Sequence, residues 1–542
     1  MRSLSIGILL LILLSSETRS QPDSRFRPFD WVLYRGSGEI NSITEGFTYA
    51  YIATSMGGIK RYNLYGNYFD EPLTTAQGLQ ENSIHAVHFD MVTGLIWAAS
   101  KNHLQYSFSR EGDWYSIDLK NIGLSKYDQI QRIGSSSDFV WLEARSSYVK
   151  IDHSSGMMVG IYPMPDELEI KWSSGPYGGE RILREKFESY NLLDGWIFNG
   201  DELIDRLGRR ANISTGFIGN HGNIFFGTNE GSVFYGTQTM ETFSIVPDHI
   251  VNTDVSSIFH SENKLYIASQ DFELSKGISQ YDLAMSTSIC FPFEETINMT
   301  PTPIYSLFHS KNELWAGGDG IILYHNQKDD YWRTLGESIG VPQGQVYDIY
   351  GNDTHLWVGS SRGLARINTT TLREDPIGIE NIFQNMTIFD IDSINQGLWL
   401  GTRAGIFIYS SIHSQLMQMS DIGRKNFPEQ LRNVVLLEQY GSSVYVVSDI
   451  GIIEFNIEEK EWNLLFTSGI YRNETIFSMA LNDKFNFLGM EGGLLKINKR
   501  TGLVRDYEFS FIGRVNDIIV DGKEIWLGTP NGLIKFLWKR HL

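Results

Sequence analysis

The sequence predicts an all-β fold, a β-propeller of about twelve four-stranded blades, and three observations carry that prediction. One short strand is written three times, as Leu356-Trp357-Val358-Gly359-Ser360, Leu398-Trp399-Leu400-Gly401-Thr402 and Ile525-Trp526-Leu527-Gly528-Thr529. Each copy is followed at a fixed distance by a glycine and a second strand, at 363–367, 405–409 and 532–536, which is the pattern of a β-hairpin. The chain also spends 52 glycines and 13% aromatic residues against only 14 prolines, a composition suited to many short strands and tight turns.

The elements follow from the spacing. With the residue at the Gly359 position as marker, the repeat recurs at Ala53, Ala99, Glu143, Gly227, Ala268, Gly317, Gly359, Gly401, Val447, Gly489 and Gly528. Successive markers lie 39 to 49 residues apart except for one gap of 84, twice 42, which hides a degenerate repeat around Trp196-Ile197-Phe198 with Asn199-Gly200 as its turn. A period near 42 with a strand-turn-strand core is the spacing of a propeller blade. An inner strand precedes each marker, as at 346–350, and Trp114, Trp332 and Trp462 mark the outer strand, each 15 residues after its marker. For the final repeat that position falls beyond Leu542, while residues 29–34 offer a spare outer strand ahead of the first repeat. Pairing early with late strands would remove exposed edges.

Twelve blades exceed the usual four to eight of one ring, so two rings of six are expected. Pro292, Pro301 and Pro303 in the longest single interval put the junction near 284–303. The expected units are a first propeller over 21–288, closed by the strand of Trp31, and a second over 289–542, closed by the strand at 289–293; the alternative is a single oversized ring closed by the Trp31 strand alone.

Residues 1–20 have the form of a signal peptide. Arg2 precedes an apolar run from Ile6 to Leu14, then small polar residues lead to a cut near Gln21. No later run approaches the ~18 apolar residues that span a bilayer. The expected location is extracytoplasmic: periplasmic, cell-surface or secreted. Sixty-four acidic against 45 basic side chains give a formal charge of -19, which excludes nucleic acid and anionic lipid as natural partners. The lone cysteine, Cys290, excludes an internal disulfide framework and is expected as a buried thiol.

Catalytic signatures are absent: there is no HExxH, P-loop, GxSxG or zinc-spaced cysteine pair, and no tryptophan is followed by Asp. His85 and His88 sit three apart on a strand and so face opposite ways. Tryptophans recurring at one blade position (Trp97, Trp141, Trp315, Trp357, Trp399, Trp526) are expected as packing between blades. Eleven residues before their markers stand Asp348, Asp390 and Asp517, with Ser257, Ser306 and Ser478 at the same position. Brought together at a channel mouth, they could bind sugar hydroxyls or a hard cation such as calcium. Alternatively, each Asp accepts backbone hydrogen bonds and holds its blade in place. Turns between the second and third strands carry Lys101, Glu230, Arg362, Arg403, Asp449, Glu491 and Asn531, a varied set of the kind a binding face requires. Arg362 and Arg403 are the candidates to grip a carboxylate. The ligand-binding set is therefore Asp348, Asp390, Asp517, Arg362 and Arg403, with no catalytic residue assigned.

The motif Leu-Trp-Leu-Gly-Thr-x-x-Gly-Leu-x-x-Ile, preceded by Val-x-Asp-Ile, resembles the two-component regulator propeller repeat over most of 29–537. That family's tandem propellers form extracytoplasmic sensor regions of bacterial hybrid histidine kinases and often respond to oligosaccharides. The resemblance implies an exported, non-enzymatic module that binds an oligosaccharide or an envelope protein. It gives no warrant for kinase activity, since the sequence ends at Leu542 directly after the last repeat. Two other readings stay open: a propeller-fold polysaccharide lyase or hydrolase, and a scaffold of a cell-surface secretion or assembly system.

Overall fold

The computed structural model describes residues 25–541 except 110–111, 126, 177–188, 201, 249, 251, 272–276, 411, 420–427 and 429–430. The expected signal peptide, 1–20, lies outside the described residues. Twelve small, almost wholly antiparallel sheets follow one another along the chain, and each of the twelve repeats is one of them. The eighth shows the plan: Val346–Gly351, His355–Ser360, Gly363–Asn368 and Arg373–Glu374 pair in sequence order. The second strand is buried on both faces, as in Gly397–Thr402, whose six residues are all covered. That double burial is why these strands read as unbroken apolar runs instead of alternating ones.

The degenerate repeat is the fourth sheet, three two-residue strands at Ile197–Phe198, Leu203–Ile204 and Arg210–Ala211. The turn at Asn199-Gly200 joins the first two, and Gly200 takes the left-handed backbone (φ 99°) that favours glycine there. Trp114, Trp332 and Trp462 lie on outer strands, Gly112–Asp118, Tyr331–Leu335 and Glu461–Thr467.

The twelfth sheet, over 517–536, has three strands of its own, and Trp31–Tyr34 supplies the fourth, pairing Trp31 with Phe536 and Tyr34 with Leu533. The early strand thus completes the last sheet, whereas the sequence reading had it close the first propeller. The strand at 289–293 was expected to close the second; instead Thr287–Pro292 is the ordinary outer strand of the sixth sheet, antiparallel to Gly277–Asp282. Both differences have one cause: an apolar strand fits any open edge, and the tight turn after Asp282 decides the matter locally in favour of its own hairpin. Cys290, on that rim strand, is half-buried rather than enclosed.

The core consists of apolar layers between successive sheets. Trp97 lies with Ile133 and Leu142 between the second and third sheets, and Trp399 with Val446 and Phe455 between the ninth and tenth. From the sixth sheet onward the layers run without a break to the twelfth, and a further layer joins Trp526 and Leu533 of the twelfth to Ile258, Leu265 and Ile267 of the sixth. First strands touch in the same order, and Ser257–Ser261 meets Asp517–Asp521. In the N-terminal part the first sheet contacts the second, the second the third, and the first strand of the fifth sheet, Ile213–Ile218, contacts Ile40–Glu45 of the first. The six recurring tryptophans are at most 6% exposed, as packing residues should be.

Candidate ligand-binding site

In the sixth, seventh, tenth and twelfth sheets the position eleven residues before the marker begins the ladder of the first strand. In the eighth and ninth sheets the register slips by one residue just before it, between Val346 and Asp348 and between Ile388 and Asp390. Such a bulge re-aims the side chain that follows. Both aspartates reach sideways into the next sheet. Asp348 accepts from the Ile391 N–H at 2.7 Å and the Ile349 N–H at 2.8 Å, and Asp390 accepts from the Leu437 N–H at 2.6 Å. Asp517 accepts from the N–H groups of Ile258 and Ile518, both at 2.8 Å, and from the Ser257 hydroxyl at 3.2 Å. The serines do the same work as donors: Ser306 to the Val346 carbonyl and Ser478 to the Val515 carbonyl, each at 3.1 Å. One repeat position therefore ties sheet to sheet, and the Asp517 bond to Ile258 carries the series from the twelfth sheet back to the sixth.

The three carboxyls are also a cluster. Asp348 and Asp390 share a side-chain hydrogen bond, and the charge of Asp348 is felt at Asp517. Burial pushes Asp348 and Asp517 up to about 6; amide hydrogen bonds offset part of the effect. Asp390 is raised further by burial and then by repulsion from Asp348. Two residues that sequence reasoning missed join them. Asp392 is raised by burial, and Glu438 is pushed up to about 7 by burial and then by Asp392 and Asp517. Both stand nine residues before their markers, two places along the same strands and hence on the same face, a signal the period-two rule would have exposed. Glu438 keeps solvent-accessible surface although protein surrounds it on most sides.

This arrangement raises the carboxyls into the weakly acidic range, so that each, while protonated, can donate as well as accept. Among the described residues no group of three or more His, Cys, Asp or Glu side chains has a geometry able to hold a metal ion, so the calcium reading finds no geometric support. Arg362 and Arg403 are exposed on neighbouring turns. Arg362 reaches Gln343 Oε1 at 3.5 Å, and none of the ion pairs among the described residues joins either arginine to the aspartates. The structure thus gathers the aspartates and leaves the arginines on the rim. Asn531 is spent on its own loop, its amide donating to the carbonyls of Phe511 and Ser510 at 3.2 and 3.4 Å. His88 is buried, bonded to the Ser135 hydroxyl at 2.9 Å and lowered to about 4 by burial, a core histidine.

No family model and no curated protein matches the chain. Among solved structures it is similar to the extracellular domain of the one-component system BT4673 from B. thetaiotaomicron, at 13% identity over 93% of this chain and 75% of that one, with a TM-score of 0.43. It is similar to the extracellular domain of the hybrid two-component system BT3049 from the same organism, at 14% identity over 91% of this chain and 76% of that one, TM-score 0.41. The WD40 β-propeller domain of Doa1 matches at 13% identity over 52% of this chain and 92% of its own, TM-score 0.38. No helix among the described residues is long and apolar enough to cross a membrane.

Proposed function

We propose that the chain is an exported, non-enzymatic pair of β-propellers, a sensor-like or interaction module that binds an oligosaccharide or an envelope protein on its turn face. The observation that carries this reading is the cyclic order of sheet contacts: the sixth to twelfth sheets return on themselves through Asp517 and Ile258, and the fifth meets the first. On this reading the split is five blades and seven rather than six and six. The sixth sheet, 257–292, joins the C-terminal ring, and so does Trp31–Tyr34; the expected boundary at 288 would cut the strand Thr287–Pro292. A ring presents the turns between second and third strands together, and Lys101, Glu230, Arg362, Arg403, Asp449 and Glu491 are all exposed there with differing chemistry. The aspartates serve that face indirectly, by fixing the angle between blades.

Thermal unfolding of the chain from Gln21 to Leu542 against a panel of oligosaccharides, with and without calcium, tests the proposal. Ligand at 100 times its Kd adds about 2.7 kcal/mol. A rise confined to particular sugars, abolished by Arg362→Ala with Arg403→Ala, supports the sugar-binding form. No shift across the panel together with no partner retained from envelope extract would overturn it, and release of a shortened sugar product would overturn its non-enzymatic part.

A further inference from the structure

Where the register slips at the start of a first strand, one residue is left out of the ladder, and its side chain is free of the pairing that fixes its neighbours. In the eighth, ninth and eleventh sheets that residue is Tyr347, Phe389 and Phe477, an aromatic every time. In the first, third and fifth sheets it is Asn41, Gln131 and Ser214, polar every time. Two of the polar residues tie sheet to sheet: Asn41 donates to the Ile84 carbonyl at 2.8 Å and Ser214 to the Ile40 carbonyl at 2.6 Å. In the eighth and ninth sheets Asp348 and Asp390 already make that tie, through the Ile391 and Leu437 amides, so the fold asks nothing of the kind from Tyr347 or Phe389.

The slipped residues lie at the end of the first strand that faces the turns between second and third strands. The Ser361 N–H, beside Arg362, donates to the Gln345 carbonyl at 2.9 Å, and the Arg403 N–H to the Thr387 carbonyl at 3.4 Å, each two residues before the aromatic. Tyr305 holds the equivalent place in the seventh sheet, its N–H on the Gly317 carbonyl at 2.8 Å. The first strands of the seventh, eighth and ninth sheets touch in order, so Tyr305, Tyr347 and Phe389 follow one another along one arc. The rings of Tyr347 and Phe389 are 5.9 Å apart and tilted by 44°; Tyr347 is 37% exposed, and Phe389 and Tyr305 are half-buried. Gln345 Nε2 donates to the Tyr305 hydroxyl at 3.3 Å, which leaves the Tyr305 O–H to donate elsewhere. Phe477 stands apart from this arc, and its face already carries the Arg514 guanidinium, 5.2 Å from the ring centre. Ser256, Val435 and Asn516, at the same place in the remaining sheets, bring no ring.

Charge selects what such a surface takes. Asp348 and Asp390, next in sequence after Tyr347 and Phe389, repel an anion when ionised, and Arg362 and Arg403 on the adjoining turns repel a cation. Aromatic faces carry a partial negative charge that attracts C–H groups. A neutral sugar ring presents C–H groups on its face and hydroxyls around its edge, which matches both the rings and the Tyr305 O–H. We propose that Tyr305, Tyr347 and Phe389 form a stacking subsite for a neutral oligosaccharide, and that the polar N-terminal first strands form none. The subsite rests on the reading of the sixth to twelfth sheets as a ring that binds on its turn face, and narrows that face to one arc.

Titration calorimetry of the full chain with cellopentaose, xylopentaose, mannopentaose and maltopentaose, and with sorbitol as an open-chain control, tests this. At least one pentaose should bind saturably and sorbitol should not. Affinity should fall about tenfold or more in Tyr347→Ala and in Phe389→Ala, and stay within about threefold of the parent in Tyr347→Phe, which keeps the ring. Gln131→Ala, at the slipped position of the third sheet, should bind as the parent does. Because Tyr347 lies outside the ladder and is exposed, Tyr347→Ala should melt with the parent, which separates loss of binding from loss of fold. Pentaose binding that survives both alanine variants, or that sorbitol matches, would overturn the subsite while leaving the chain a sugar-binding module. No saturable binding of any pentaose at millimolar concentration would also overturn it, and an envelope protein retained in that case would leave the interaction-module reading standing.

Discussion

Replacing Asp517 by Asn should change how stability depends on pH more than it changes stability itself. Asp517 is the carboxyl that joins the twelfth sheet to the sixth, and burial lifts it from 3.8 to about 6. A carboxyl whose folded value is raised favours the folded state fully below its unfolded value, and that advantage is lost as pH rises through the folded value. The window therefore runs from about pH 4 to pH 6. A shift of about 2 pH units at 1.36 kcal/mol each gives a loss of about 3 kcal/mol between pH 4 and pH 8. An amide keeps the shape and one acceptor oxygen but cannot ionise, so the variant should start at or slightly below the parent at pH 4 and gain on it by up to that amount by pH 8. Hydrogen exchange of the Ile258 amide, corrected for its intrinsic pH dependence, reads the joint directly. Its protection should fall by about a hundredfold in the parent across the window and stay nearly flat in the variant. Parallel profiles in the two proteins would refute the reasoning, because Asp517 would then not be the group that takes up the proton.

Other perturbations have equally definite outcomes. Trp31 stacks on Phe536 at 3.7 Å and is fully buried, so Trp31→Ala should lower stability by about 3–5 kcal/mol in a urea titration and expose the edge of the twelfth sheet to protease. Gly451 has φ 135° and a Cβ there would lie 2.1 Å from the Phe466 carbonyl oxygen, so Gly451→Ala should cost well over 2 kcal/mol; Gly441→Ala, at φ 62° in open space, should cost about 1 kcal/mol. Lys60 is buried against Asp248, which also accepts from Ser37 at 3.0 Å, and Lys60→Ala should lower stability by about 3 kcal/mol. The exposed pair Lys311 with Asp353 is the matched control, and Lys311→Ala should change the melting curve by no more than about 1 kcal/mol.

The repeat was legible because its signals are local. A buried second strand must be apolar throughout, and the glycine opening the third strand must adopt angles other residues resist, so each repeat carries its signature in about ten residues. The fourth sheet was located by spacing and one Asn-Gly turn, although its strands have only two residues each. Pairing across the chain was less legible. Trp31–Tyr34 reads as an outer strand with an apolar face, and nothing in those four residues distinguishes the edge at 532–536 from any other. The aspartates were found as a repeat position, but their targets are backbone amides, which have no sequence signature. Asp392 and Glu438 were hidden because their neighbours at the same repeat position are Tyr350 and Ile519, not acids.

The bond between Asp30 and His541 spans 511 residues, and the strand beside it spans nearly as many. A ribosome adding about 5–20 residues per second needs roughly 25 to 100 s to cover that distance. Throughout that interval Trp31, Val32, Leu33 and Tyr34 have been made but the strand that will cover them has not, and the twelfth sheet has no existence. Four consecutive large apolar residues with a free backbone edge are a pairing hazard for any other extended chain. A factor that shields the first forty residues during synthesis should therefore raise the yield of folded protein, and its effect should vanish when Gly532–Phe536 is supplied early by circular permutation.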